Sequence, residues 1–447
     1  MEAVRETVTV VGGGLAGSEA AWQLARRGVP VRLHEMRPER PTLVHRTGDL
    51  AELVCSNSLK SLELSTPHGV LKREMELLGS LILRCAVATR VPAGGALAVD
   101  REAFSREVTR AIASEPLVTV VREEVREIPP EGIVVLAAGP MVSDALAAAI
   151  ARFTGESHLH FFDAIAPVID AASIDRSIVF AASRYGKGGG EDYLNCPMTD
   201  EEYDSFLALL LAGEKAPLHE VDRTPYFEGC LPIEEMARRG RDTMRFGPMK
   251  PVGLTDPRTG RRPHAVVQLR QDDLAAEHYS MVGFQTQLRS KEQERIFRAI
   301  PGLAGAEFVR LGQVHRNTYV NAPKVLEPTL ESRAREGLFF AGQLSGVEGY
   351  TESAATGLLA GINAARRAKG SAPAALPRES ILGALCRYIT AASPDGYQPT
   401  NVTFGLLPEP PAHVRRKKDR REARGAAAVR AVEAWAAAQE AGVEGEA

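Results

Sequence analysis

From Thr7 to Val11 the chain is an unbroken β-branched run, and it leads directly into Gly12-Gly13-Gly14-Leu15-Ala16-Gly17. The residues that follow, Ser18 to Ala25, are helix formers with one apolar face, so the pattern predicts strand, glycine turn and helix. Gly28 supplies a stop, and a second strand from Val29 to His34 ends at Glu35. This is the order of a dinucleotide-binding Rossmann unit. Gly12 permits the tight turn, Gly14 lets backbone N–H groups approach a pyrophosphate, and Gly17 lets the helix pack close to the sheet. Leu15 and Ala16 open the helix at the phosphates, with Gly13 beside them in the turn. The acid at Glu35 stands about twenty residues past the glycines, where it can accept hydrogen bonds from a ribose.

Later apolar runs return to the same sheet. Val134 to Gly139 reads as a strand closed by Ala-Ala-Gly-Pro, and Gly337 to Gln343 as a buried strand ending in glycine. Glu348-Gly349-Tyr350 then starts a small-residue helix that reaches Gly361. A late strand and helix that cover the flavin end argue for FAD rather than NAD, and they add Gly139, Gly342 and Gln343 to the cofactor-binding residues. No second glycine fingerprint follows a strand, because Gly186-Lys187-Gly188-Gly189-Gly190 lies in a polar loop. The expected fold is α/β: a two-part FAD-binding Rossmann-like domain of the GR2 type with an inserted α+β domain. The expected limits are residues 1–180 and 325–447 for the two parts and 181–324 for the insertion. Ile178-Val179-Phe180 is assigned to the first part as a sheet strand. Inside the insertion the pattern predicts helices over Asp200–Leu211 and Ser290–Ala299 and a strand over Ala265–Arg270; beyond it, a helix spans Leu382–Thr390.

Composition narrows the class. A chain of 447 residues exceeds one small core, and a formal net charge of −3 means that any RNA surface must come from local clusters. Such clusters occur at Arg238-Arg239-Gly240-Arg241, from Arg245 to Lys250, from Arg258 to Arg262 and from Arg415 to Arg424. Arg238, Arg239, Arg241 and Lys250 are the candidate phosphate contacts. The cysteines are scattered, with no C-x-x-C pair and no metal-ligand spacing, so reduced thiols, no metal and a cytoplasmic setting are expected. No leader-like or membrane-length apolar stretch is present in the sequence.

Two cysteines have unusual neighbours. Cys55 opens Cys55-Ser56-Asn57-Ser58, where backbone N–H groups are expected to lower its pKa and favour a thiolate. Cys230 lies between Gly229 and Leu231-Pro232, with arginines soon after. Against both stands the bland reading of a small buried residue. His315 reads as a ligand-stacking imidazole or a satisfied core histidine, and spacing alone favours the second.

At these residues the chain resembles the TrmFO family of folate- and FAD-dependent tRNA uridine C5-methyltransferases. The segments that carry the likeness include His34-Glu35-Met36-Arg37-Pro38, Cys55-Ser56-Asn57-Ser58-Leu59, Arg184-Tyr185-Gly186, Glu228-Gly229-Cys230-Leu231-Pro232 and Arg245-Phe246-Gly247-Pro248-Met249-Lys250. The resemblance implies transfer of a one-carbon unit from 5,10-methylenetetrahydrofolate to C5 of uridine 54 in the T arm of tRNA, with reduced FAD as reductant, recharged by NADH or NADPH. It implies that Cys230 is the thiolate adding at C6, that Cys55 is the second functional thiol, that His315 stacks on folate and that Tyr350 lies near the flavin ring. The competing readings are the related wobble-uridine enzyme with the same cofactors, which is longer, a folate-independent flavin oxidoreductase, and an RNA-binding module without catalysis.

Overall fold

The computed structural model describes residues 6–42, 44–156, 159–217, 231–410, 414 and 416–444, with side-chain surroundings for all of these except residues 159–162, 315, 316, 417 and 440–444. Its first layer is a six-stranded sheet in the order Glu331–Ser332, Arg335–Phe340, Val134–Leu136, Val8–Val11, Val31–His34 and Val118–Val121. All neighbours are parallel except the Glu331–Ser332 edge. Parallel strands need both faces covered, which explains why Val8, Val10, Val134, Val135, Leu338 and Phe340 are all fully buried. The strand, glycine turn and helix expected at the start are present as Val8–Val11 and Leu15–Arg26.

The late helix, Tyr350–Ala368, packs along the Leu15–Arg26 helix, and its small residues explain how closely. A Cβ on Gly357 would stand 2.2 Å from the Ala16 carbonyl oxygen, and one on Gly361 would stand 2.6 Å from that of Ala20. Only glycine at both positions admits this backbone-to-backbone approach. The two ends of the chain are thereby joined over the carboxyl ends of the central strands, where open α/β sheets bind ligands.

The second layer is an antiparallel sheet in the order Phe180–Ala181, Tyr193–Met198, Ala265–Gln271, His278–Met281, Val168–Asp170 and Phe308–Arg310. Its own core contains Ile169, Val179, Met198, Phe206, Phe284 and Phe297. This corrects the expected boundary at residue 181. Of the Ile178-Val179-Phe180 run, Phe180 joins the second sheet and Val179 its core rather than the Rossmann sheet, while Ile178 lies in a turn; Val168–Asp170 belongs to the second sheet too. A three-residue apolar run carries no periodicity that says which sheet it joins. The layers are linked by the ladder of Leu159–Ala164 with Val314–Tyr319.

The expected helices appear as Asp200–Ala212, Ser290–Phe297 and Ile381–Ala391. The first begins with a capping box, in which Thr199 accepts from the Glu202 N–H while Glu202 accepts from the Thr199 N–H. The basic tail forms one helix, Lys417–Glu444, that buries Ala428 and Val432 in the first core. Among the described residues no helix is long and apolar enough to cross a membrane.

Candidate active site

The glycine turn is shaped by close contacts on one side and open space on the other. Gly12 has φ +100°, and a Cβ there would lie 2.5 Å from the Ala137 carbonyl oxygen; one on Gly17 would lie 1.7 Å from the Gly12 carbonyl oxygen. At Gly14, a Cβ would meet no atom within 4 Å. No side chain caps the helix that starts at Leu15, so its first-turn N–H groups are left for an anion. A pyrophosphate fits this cradle.

A cavity of about 330 Å³ extends from it. Its lining brings together Gly12, Gly14, Leu15, Ala16, Glu35, Gly139, Gly342, Gln343 and Tyr350, all expected at a cofactor, and adds Cys55. Gly13 and Gly17 stand behind that lining and shape it. The Gly13 N–H donates to Glu35 Oε2 at 2.9 Å, while Glu35 Oε1 accepts from the Arg37 N–H and from Arg37 Nε, both at 2.9 Å. Burial raises a carboxyl pKa, but the Arg37 guanidinium and the two backbone donors outweigh it and hold Glu35 below the usual carboxylate range. Glu35 is thus an anion fixed in place by the turn it serves.

Cys55 is half-buried, in the loop before the Ser58–Ser61 strand. Its N–H donates to Tyr350 Oη at 2.8 Å, the Ser56 N–H does so at 3.3 Å, and Tyr350 Oη donates to Cys55 Sγ at 3.0 Å. The backbone donors expected to favour a thiolate therefore go to the tyrosine oxygen. Burial and the nearby Asp163 carboxylate push the Cys55 thiol up to about 12, against the Tyr350 hydrogen bond and Arg101. This corrects the expectation of a lowered pKa: without ligands, Cys55 is a thiol.

Two acids complete the site, and neither was picked out from the sequence as a site residue. Asp163 and Glu348 are buried and line the same cavity. Glu348 Oε2 accepts from Gln343 Nε2 at 2.5 Å, and burial together with the Asp163 charge raises its pKa well above the ordinary carboxylate value. Glu348 was visible in its Glu-Gly-Tyr setting. Asp163 gave no signal, because the Leu159–Ala164 strand gains its place only by pairing with Val314–Tyr319. That pairing sets His315 directly opposite Asp163; the His315 side chain lies outside the described residues.

The Cys55 loop is tied to the second layer. Arg270 donates to Asn57 Oδ1 at 2.7 Å and to Ser56 Oγ at 3.0 Å, and Arg101 donates to both carboxylate oxygens of Asp272. Cys85, Cys196 and Cys386 are buried, as expected for small apolar residues. Cys230 lies outside the described residues. The expected phosphate contacts do not line the cavity. Arg241 is held by Asp200 at 2.5 Å and Asp204 at 2.7 Å, so its charge is met within the protein. Arg238 lies 3.9 Å from Glu235, Arg239 is exposed, and Lys250 is exposed at the end of the 246–250 segment.

The model of the glucose inhibited division protein A family matches residues 7–372. The methylenetetrahydrofolate–tRNA-(uracil-5-)-methyltransferase TrmFO of Symbiobacterium thermophilum is 60% identical over 433 residues, covering 96% of this chain and 97% of its own. The enzyme of the same name from Geobacter sulfurreducens is 57% identical, covering 93% and 95%. Among solved structures, GidA of Aquifex aeolicus in its form I crystal is similar with a TM-score of 0.71 at 20% identity, covering 96% of this chain and 75% of that one, a likeness of fold. With identity of this level along nearly the whole of both chains, this protein belongs to the TrmFO family, within the wider family of glucose inhibited division protein A.

Proposed function

We propose that this protein is a tRNA (uracil-5-)-methyltransferase that takes its one-carbon unit from 5,10-methylenetetrahydrofolate and makes 5-methyluridine at position 54 of the T loop. The observation that carries the reading is the meeting of Cys55, Tyr350 and the glycine cradle on one cavity, in a chain 60% identical to a relative of that name. FAD, when bound, supplies the reducing equivalents, and NADH or NADPH restores them. The open first turn of the Leu15 helix would hold its pyrophosphate, and Glu35 would accept from its ribose hydroxyls.

The other steps fall to this chain's side chains. C5 of uracil is a poor nucleophile until a thiolate adds at C6, and Cys230 is assigned that addition on the family resemblance. Cys55 serves as the second thiol, at C5, positioned by the Tyr350 hydroxyl. His315 is assigned the folate contact on the same resemblance. The setting is cytoplasmic, in line with scattered thiols that have no disulfide spacing.

The test is to incubate the purified protein with tRNA lacking 5-methyluridine, methylenetetrahydrofolate and NAD(P)H. 5-Methyluridine is expected at position 54, and Cys230→Ala is expected to abolish it. A flavoprotein that oxidises nicotinamide and leaves the tRNA unchanged overturns the reading.

A further inference from the structure

Phe246 is 83% exposed and Tyr185 is 67% exposed. Single exposed apolar residues are ordinary, so exposure alone decides nothing. Tyr185 has more to explain: its backbone sits at φ +59° and ψ 24°, a left-handed conformation that bulky side chains rarely adopt. The surrounding structure keeps it there. The Tyr185 N–H donates to the Gly253 carbonyl at 3.1 Å, and a Cβ on Gly253 would stand 3.0 Å from two ring carbons of Tyr185. One face of the ring therefore lies along bare glycine backbone while most of the side chain remains in water.

The two rings mark the ends of a single stretch. Phe246 begins the segment that runs to Gly253, and the Val266 N–H pins its middle through the Met249 carbonyl at 3.1 Å. Lys250 is exposed within it, and Arg261 and Arg262 are exposed in the turn that follows. The mount is also connected to the reactive end of the molecule. Arg184, next to Tyr185, donates to the Gln268 side chain and to the Lys250 carbonyl. Gln268 and Arg270 alternate onto the same face of their strand, about 7 Å apart, and Arg270 holds Ser56 and Asn57 beside Cys55. Arg184 beside Tyr185 and the Cys55 loop are thus both tied to one strand, Ala265–Gln271.

We propose that Tyr185 and Phe246 form a stacking platform for unpaired bases of an RNA loop, with Lys250, Arg261 and Arg262 against its phosphates. The proposal rests on the tRNA reading above and names the surface that reading lacks. Exposed rings set among cations suit bases and phosphates, since single-stranded RNA is held by stacking on aromatic faces and by charge along its backbone. A protein partner fits less well, because the cores of such interfaces are depleted in lysine.

The experiment measures binding of a fluorescently labelled T-arm hairpin to the full-length flavin-loaded protein by anisotropy at fixed salt. Asn tolerates the left-handed backbone, so Tyr185→Asn removes the ring and spares the turn. Tyr185→Asn and Phe246→Ala are each expected to weaken binding roughly 5- to 150-fold, with flavin absorbance and melting temperature unchanged. Tyr185→Phe and Phe246→Tyr are expected to retain affinity. The slope of log Kd against log salt should stay that of the parent, since no cation is removed. Variants that bind the hairpin as tightly as the parent overturn the platform, as do variants that change the protein's sedimentation mass and not its RNA affinity. If the parent methylates tRNA while the ring variants bind normally, the platform alone falls. If the parent neither binds nor methylates the RNA, the functional reading falls with it.

Discussion

Tyr350 and Cys55 hold each other by two reciprocal bonds: the Cys55 N–H donates to the tyrosine oxygen at 2.8 Å, and the tyrosine hydroxyl donates to Cys55 Sγ at 3.0 Å. They are 295 residues apart in sequence, so the clasp closes the amino-terminal loop onto the first residue of the late helix.

Burial and the Asp163 carboxylate keep the sulfur protonated in spite of the clasp, whose tyrosine hydroxyl favours the thiolate. With its pKa pushed to about 12 by burial and Asp163, Cys55 in the ligand-free protein should alkylate with iodoacetamide at a rate that still climbs at pH 10. Mass spectrometry of the Cys55 peptide reads this directly; a plateau with its midpoint near the ordinary thiol value of about 8.5 contradicts it. Tyr350→Phe removes the one hydrogen bond that favours the thiolate, so alkylation should slow at every pH. That variant also leaves the Cys55 and Ser56 N–H groups without their acceptor, which should lower stability by about 1–3 kcal/mol.

Gly14 and Gly17 should separate binding from folding. A Cβ on Gly17 collides with the Gly12 carbonyl, whereas one on Gly14 meets nothing within 4 Å and instead enters the anion cradle. Gly17→Ala is expected to lower both the melting temperature of the flavin-free protein and its flavin content. Gly14→Ala should leave that melting temperature unchanged and weaken flavin binding, as measured by fluorescence titration. Equal flavin affinity in Gly14→Ala and the parent would place the phosphates elsewhere.

Glu35 should give a pH-dependent stability. Its folded pKa lies below the ordinary value because Arg37 and two N–H donors outweigh the effect of burial. The stabilisation is therefore complete above the unfolded glutamate value of about 4.3 and is lost as the pH falls through the folded value. Glu35→Gln should cost about 3 kcal/mol at pH 7, the lower end for breaking a buried pair, since Arg37 keeps Glu52 at 3.2 Å. Urea unfolding should show that difference shrinking as the pH is lowered from 5 towards 3, and a constant difference would show that the carboxylate charge is not what Arg37 needs.

Arg241 and Lys250, from neighbouring basic clusters of the sequence, should behave oppositely toward RNA. Arg241 is engaged by Asp200 and Asp204, while Lys250 is exposed. Lys250→Ala should reduce the slope of log Kd against log salt by about one unit and Arg241→Ala should leave it unchanged. A loss of slope in Arg241→Ala instead would mean that its carboxylate partners release it when RNA binds.

The sequence by itself determined the cradle and its position. Gly12, Gly14, Gly17 and Glu35 are spaced by local rules, because a strand, a tight turn and a helix each depend on neighbours in the chain, and the structure puts them where that spacing says. The late helix was legible in the same way, from its run of small residues. What only the tertiary structure decided depends on partners far away in the chain. Ile178-Val179-Phe180 is apolar in either setting, and only the pairing of Phe180 with Asn195 assigns its end to the second sheet. Asp163 is an unremarkable acid until its strand pairs beside the cavity. The state of Cys55 was decided there too: its flanking Ser and Asn residues promise free N–H groups, but a tyrosine 295 positions on takes them, and a buried carboxylate opposes the charge. Hydrogen-bond geometry at close range is written in local sequence, whereas desolvation and the field of distant charges exist only once the chain has folded.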